Sequence, residues 1–281
     1  MRYGFDPMRK GHWKARELET ALARRMQARH AHLVSSGTAA LTVAMANAGV
    51  GAGDEVILPT FTFVASFEAV LALGAVPVLC DIDDTLTLDP AAVKEAITSE
   101  TRVIMPVHMC GSMADLGALK ALAEEHGLIL LEDACQAIGG SYEGKPLGSY
   151  GHVGCFSFDY VKTITCGEGG ALITNSDQLY EKAQAYSDHG HDHIGSDRGA
   201  EGHPHLGFNY RISELNAAVG LAQLGRLDEF LQLQESHYQH LRKAIADIPG
   251  VTFRRVPEGG IENYSFLNFF LPDEHSAREA Q

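Results

Sequence analysis

Three short segments hold residue types that converge on one kind of chemistry. The first is Ser35-Ser36-Gly37-Thr38-Ala39-Ala40, where an extended run hands over to a helical one. The start of a helix presents unpaired N–H groups and the positive end of the peptide dipoles. Glycine lets an anion approach that backbone and threonine adds a hydroxyl, so Gly37 and Thr38 form a candidate phosphate cradle. By composition alone the same turn also reads as an ordinary helix cap. It is neither a Walker loop, whose lysine is missing, nor a GxGxxG fingerprint, which disfavours a nicotinamide dehydrogenase. The second segment is the apolar run Leu128-Ile129-Leu130-Leu131-Glu132, followed by Asp133. An acid at the carboxyl end of a buried strand can face a ligand nitrogen. Glu132 alternates to the opposite face and is the weaker candidate. The third is Phe156-Ser157-Phe158-Asp159-Tyr160-Val161-Lys162, with Cys166-Gly167-Glu168-Gly169-Gly170 after it. A lysine held beside a ligand at a strand end is desolvated, loses basicity and becomes an amine nucleophile.

Taken singly, each segment has an ordinary reading: a cap, a capping acid, a surface lysine. Together they supply what pyridoxal phosphate (PLP) needs, namely a Schiff-base lysine, an acid for the pyridine nitrogen and an anchor for the phosphate.

The elements that must position these groups follow from hydrophobic pattern. Short apolar runs predict strands at 32–35, 55–59, 76–82, 102–107 and 128–132. Helical periodicity follows the first four, at 38–47, 64–73, 91–97 and 116–125. This alternation predicts an α/β fold with a mostly parallel sheet covered on both faces. Two close strands, 154–158 and 171–174, flank the Gly-rich segment, and helical pattern returns from 178. A long helix is expected from 213 to about 246, then strands at 251–256 and 265–271 and a helix from 275. Residues 1–248 are thus expected to form a large ligand-binding domain, and 249–281 the start of a smaller, incomplete one.

Composition narrows the function classes. The 281 residues carry 22 basic and 36 acidic side chains, a net charge of −14, which disfavours nucleic acid and anionic membranes as partners. No apolar run is long enough to span a bilayer, and the N-terminus lacks an apolar signal core, so the expected location is cytoplasmic. Five scattered cysteines without a CxxC pair argue against a disulfide framework. His189, His191, His193, His203 and His205 lie in a Gly- and Asp-rich stretch that reads as a solvated loop near the site mouth, so no metal is assigned.

The quoted segments belong to a longer set: SSGTAAL (35–41), GDEVILPTFTFVAS (53–66), VPVLCDID (76–83), IMPVHMCG (104–111), LEDACQAIGGSYEGKPLGSYG (131–151), CFSFDYVKTITCGEGGALIT (155–174) and GFNYRISELNAAVGLAQL (207–224). Through them the chain, from about 31 to about 233, resembles the DegT/DnrJ-type sugar aminotransferases, a branch of the fold-type I PLP enzymes. The resemblance implies a three-layer α/β/α large domain with a C-terminal α+β small domain. It implies that Lys162 forms the Schiff base with PLP and that Asp133 pairs with the pyridine nitrogen. Gln136 would sit near the ring's 3-oxygen, and Phe63 would stack on the ring. Gly37, Thr38 and Ser157 would hold the phosphate, and Asn209 would reach the phosphate of a neighbouring subunit in a homodimer. The bland alternatives are core packing for Phe63, a plain polar residue for Gln136 and a helix cap for Asn209. A dehydratase branch has histidine where this chain has Lys162, so transamination is implied, with L-glutamate as donor and a keto- or aldehydo-sugar as acceptor. The opening RYGFDPMRKGHWKARELE and the DHGHDH loop resemble the branch that aminates an eight-carbon sugar acid (8-amino-Kdo) of lipopolysaccharide. Family members are usually longer, by about a hundred residues of small domain. That difference keeps a non-catalytic PLP-fold regulator or binding protein as the alternative.

Overall fold

The computed structural model describes residues 13–193 and 202–279. In chain order the strands begin with β1 (His30–Val34), β2 (Glu55–Pro59), β3 (Val76–Cys80), β4 (Thr101–Ile104) and β5 (Ile129–Asp133). Two-residue β6 (Ser141–Tyr142) and β7 (Lys145–Pro146) follow, then β8 (Val153–Ser157) and β9 (Gly170–Thr174). Three further two-residue strands are β10 (Thr252–Phe253), β11 (Gly260–Ile261) and β12 (Phe269–Phe270). Around them lie α1 (Lys14–Arg25), α2 (Gly37–Asn47), α3 (Ala65–Leu71), α4 (Pro90–Ala96), α5 (Leu116–His126), α6 (Asp177–Tyr186), α7 (Glu214–Leu224), α8 (Leu227–Ile245) and α9 (Glu274–Glu279).

The main sheet has seven strands in the order β1-β9-β8-β5-β4-β2-β3. From β8 to β3 every pairing is parallel, and β9 runs antiparallel to both of its neighbours. Strands covered on both faces read as unbroken apolar runs, which is why β5 (ILLED) is buried from its second residue onward. The edge strand β3 carries Pro77, whose missing N–H is tolerated where no second neighbour needs it.

Alternation along β5 assigns its side chains to two different cores. Leu131 packs with α2 and α3, through Leu41, Met45 and Val70. Leu130 packs on the opposite face with α4 and α5, through Val93, Leu119 and Ala123. Helices α1 and α7 cover the sheet's β8–β9 region on that second face, around Phe156 and Ala171. Nine of the eleven residues of α2 are buried, as expected for a helix apolar on all sides.

The expected long helix at 213–246 is two helices. The chain breaks at Gly225 and Arg226, where Arg226 N–H bonds Gln223 O in a tighter turn. Glycine in a helix interior carries an entropic penalty, and the break lets α8 leave the core, burying only Leu227 and Tyr238. The expected strands at 251–256 and 265–271 shrink to β10 and β12, which pair with each other. Between them β11 pairs with β6 in a separate three-stranded sheet, joining this segment to the connection between β5 and β8.

Glu132 shares the face of Leu130 and is fully buried. One carboxylate oxygen accepts from Gly148 N–H at 2.7 Å and faces His108 Nε2 at 2.8 Å. The other accepts from Tyr150 and Gly151 N–H, each at 2.7 Å. An amide in its place would turn an NH2 toward one of these donor sets. Glu132→Gln is therefore expected to lower unfolding free energy by about 3 kcal/mol, read from urea denaturation; a loss within about 0.5 kcal/mol would contradict this account.

Candidate functional site

A cavity of about 810 Å³ opens at the carboxyl ends of the parallel strands, where open α/β sheets bind ligands. Its walls come from the turns after β1 (Ser36, Gly37, Thr38), β2 (Phe63, Ser66), β5 (Asp133, Cys135, Gln136) and β8 (Ser157, Lys162). Seven of the eight sequence-derived candidates line this one space.

Asp133 ends β5 on the α2/α3 face and is 4% exposed. Its Oδ2 accepts from Ser66 Oγ at 2.8 Å and its Oδ1 from Cys135 N–H at 3.1 Å. Ser66 Oγ is itself 2.6 Å from Thr62 Oγ1. An ionised carboxylate has about four acceptor positions, so lone pairs remain for a donor in the cavity. The side chain thus supports its own turn, as the capping reading expects, and still faces the cavity.

Lys162 closes a turn in which its N–H bonds Asp159 O at 3.0 Å. Its amine makes no hydrogen bond or ion pair among the described residues, although it lines the cavity. The nearby Cys135 thiol is held well above its ordinary pKa, by burial first and then by the Asp133 charge, while Lys162 pulls weakly the other way. Cys135 is therefore held toward its protonated thiol form and is a poor nucleophile.

At the other wall Ser36 caps α2: its Oγ accepts Ala39 N–H and its carbonyl accepts Ala40 N–H, each at 3.0 Å. The Gly37 and Thr38 N–H groups are left for an anion. Cap and cradle are the same turn. The packing here admits only glycine. A Cβ on Gly37 would lie 2.7 Å from Ser157 Cβ, and one on Gly170 of β9 would lie 2.2 Å from Ser36 O.

Phe63 stands at the rim, 61% exposed. Gln136 lines the cavity with its Oε1 accepting Cys110 N–H at 2.9 Å. Ser157 Oγ accepts Asp159 N–H at 3.4 Å. Asn209 is exposed and bridges to Asp188 outside the cavity. The structure also brings in residues that sequence reasoning missed. Ser66 lies 67 positions from Asp133 and Phe266 comes from the last part of the chain, so neither leaves a local signal. The Ala65-Ser66 step at a helix start within GDEVILPTFTFVAS was the one available hint for Ser66.

Of the histidine-rich stretch, 194–201 lies outside the described residues, as does most of the opening segment used for the 8-amino-Kdo comparison. The His191 and His203 rings are 4.0 Å apart. Among the described residues no group of three or more His, Cys, Asp or Glu is arranged to hold a metal ion. None of His189, His191, His193, His203 or His205 lines the main cavity. No helix among the described residues is long and apolar enough to cross a membrane.

The donor set fits PLP. The amine suits an aldehyde, the buried carboxylate a pyridine N–H, and the free N–H groups at the α2 start a phosphate. The cavity lies within the usual range for a small-molecule site.

Comparison with known proteins agrees. The family model described as the DegT/DnrJ/EryC1/StrS aminotransferase family matches residues 8–279. A GDP-perosamine synthase of Vibrio cholerae is 37% identical over 257 residues, covering 91% of this chain and 69% of that protein. The aminotransferase of Psychrobacter cryohalolentis superposes with a TM-score of 0.88 at 33% identity, over 92% of this chain and 70% of that one. DesV of S. venezuelae, solved with a ketimine intermediate, gives 0.87 at 33% identity, over 97% and 73%. These matches favour the enzyme over a non-catalytic relative. The chain belongs to the DegT/DnrJ/EryC1/StrS aminotransferase family and is a PLP-dependent transaminase of amino-sugar biosynthesis.

Proposed function

We propose that this enzyme transfers an amino group from L-glutamate to the carbonyl carbon of a nucleotide-linked keto-sugar, with Lys162 and Asp133 as its catalytic pair. The observation that carries the reading is that an amine without a partner among the described residues and a buried carboxylate line one cavity, with free helix N–H groups at its wall. PLP, when bound, supplies an aldehyde that condenses with amines and a ring that takes up the electron pair left by a departing proton. Lys162 would hold the cofactor through its aldehyde carbon, and its free amine would be placed to carry the proton between the donor's α-carbon and the cofactor's C4′ carbon. Asp133 keeps a proton at the pyridine nitrogen, and Ser66, donating to its other oxygen, fixes the carboxylate's direction. Gln136 faces the 3-oxygen, Phe63 covers a ring face, and Gly37, Thr38 and Ser157 hold the phosphate.

The working unit in this reading is a homodimer in which Asn209 reaches the partner's phosphate. Its exposure outside its own cavity supports that role. The segment 249–281 is read as part of a smaller domain that shares in the site, a view supported by Ser265 and Phe266 in the cavity wall. The names of two relatives, GDP-perosamine synthase and DesI with its TDP-sugar product, support a nucleotide-linked acceptor over a sugar acid of the 8-amino-Kdo kind. Free cysteines support a reducing compartment, the cytoplasm in this reading.

Lys162→Ala is expected to abolish turnover and the lysine-bound cofactor absorbance while the far-UV circular dichroism is retained. Full activity in that variant refutes the assignment. With the intact enzyme, L-glutamate should shift the cofactor's visible band, and candidate keto-sugars should restore it; restoration by a sugar acid but by no nucleotide-linked sugar would overturn the acceptor class. Asn209 gives a separate test. Lys162→Ala and Asn209→Ala homodimers, each impaired, should regain about a quarter of wild-type sites when unfolded together and refolded at equal ratio. No recovery on mixing would mean that Asn209 serves its own subunit.

A further inference from the structure

Gln136 is held in a way that decides which end of its amide faces the cavity. Cys110 N–H lies 2.9 Å from the side-chain amide. A backbone N–H can only donate, so the atom it meets is Oε1, and the NH2 end is turned to the cavity as a pure donor. To aim its N–H this way Cys110 adopts φ 57° and ψ 30°, a left-handed conformation that is costly for a residue with a side chain. The turn is tied down on three sides. His108 N–H bonds Asp133 O at 3.0 Å, and its Nε2 faces Glu132 at 2.8 Å. Gly111 O accepts Asn263 N–H at 3.0 Å, and Asn263 Nδ2 donates to the Gln136 carbonyl at 2.9 Å. Arg254, 7% exposed, donates from Nη2 to Met109 O at 2.8 Å and from Nε to Thr85 O at 2.6 Å.

The Met109 carbonyl and the Cys110 N–H belong to one peptide group. A cation bonded to the carbonyl end draws electrons through that group and makes its N–H a stronger donor. A stronger donor on Oε1 does the same to the Gln136 amide, so the three links reinforce one another in a dry environment. Burial lowers the Arg254 guanidinium from its ordinary pKa and Glu262 opposes that shift. The cation is thus kept inside at some cost, although an uncharged residue of similar volume would fill the space.

We propose that Arg254 is a positioning residue for the cofactor: its charge passes through the Met109–Cys110 peptide and the Gln136 amide to the cofactor's 3-oxygen, where it withdraws electron density. The inference rests on the PLP reading above. The 3-oxygen shares a proton with the nitrogen of Lys162 when the cofactor is bound, so an oxygen poorer in electrons holds that proton less tightly. The relay therefore lowers the pH at which the Lys162 nitrogen loses its proton. A residue 145 positions from Met109, the first link of the relay, thereby tunes the reacting centre without touching it.

The test uses the holoenzyme dimer and the pH midpoint of the cofactor's visible absorbance, a readout that needs no turnover. Gln136→Ala should raise the midpoint by about one pH unit. Arg254→Met should raise it in the same direction by about half a unit, and Arg254→Lys, which keeps the charge, should restore most of the wild-type value. In the double variant Gln136→Ala/Arg254→Met the midpoint should match that of Gln136→Ala alone. If Gln136→Ala leaves the midpoint unchanged, the placement of Gln136 at the ring oxygen fails and the relay fails with it. If only Gln136→Ala moves the midpoint, Gln136 keeps its role and the relay is wrong. If the two single shifts add in full, Arg254 acts through space, and the relay is again wrong. Should Arg254→Met not fold, Arg254→Gln against Arg254→Lys separates charge from donor count in the same way.

Discussion

The period-two geometry at the end of β5 is the constraint on which the site depends. Adjacent residues on a strand point to opposite faces, so Glu132 and Asp133 cannot share a task. Glu132 turns toward the α4/α5 side, where three backbone N–H groups and His108 satisfy it. Asp133 turns toward α2 and α3, where Ser66 and its own turn hold the carboxylate and the cavity takes the rest. A one-residue shift in the register of β5 would reverse the faces of the two acids and turn Asp133 away from the cavity.

That same strand end is where separate parts of the chain meet. The α2 start reaches the cavity because β9 backs it closely, which Gly170 permits by having no side chain to strike Ser36 O. Ser157 and Gly37 come into contact for a similar reason. The result is a closely packed wall with two free N–H groups in the same cavity as the amine of Lys162. Rigid placement of such groups lets them stabilise charge without rearranging when it develops.

The C-terminal segment is integrated with this wall through polar contacts. Asn263 bonds two carbonyls of the loop after β5, and Arg254 bonds one carbonyl of the β3–α4 connection, Thr85 O, and one of the β4–α5 connection, Met109 O. Ser265 and Phe266 then reach the cavity itself. Buried polar groups satisfied in this fashion specify one arrangement of the loops they join.

Much of this was legible in the order of residues. Apolar runs of five, broken by helical periods, require a covered parallel sheet, and the strand ends then place Gly37, Asp133, Ser157 and Lys162 on one side of it. The helix cap at Ser36 is local and was equally readable, whereas α7 is capped by Ser213 and not by Asn209, the residue the sequence offered for that cap. The break at Gly225 was not, because helical periodicity continues across it and a single glycine inside a helical pattern is often tolerated. Nor were Ser66, Cys110, Arg254 and Asn263 as neighbours of the site. Their contacts close loops of tens to more than a hundred residues, and no local pattern encodes a contact that exists only after the sheet and its two helical layers have come together. The sequence by itself determined which groups can do the chemistry; the tertiary structure decided which way each one points, because direction is set by what packs behind it.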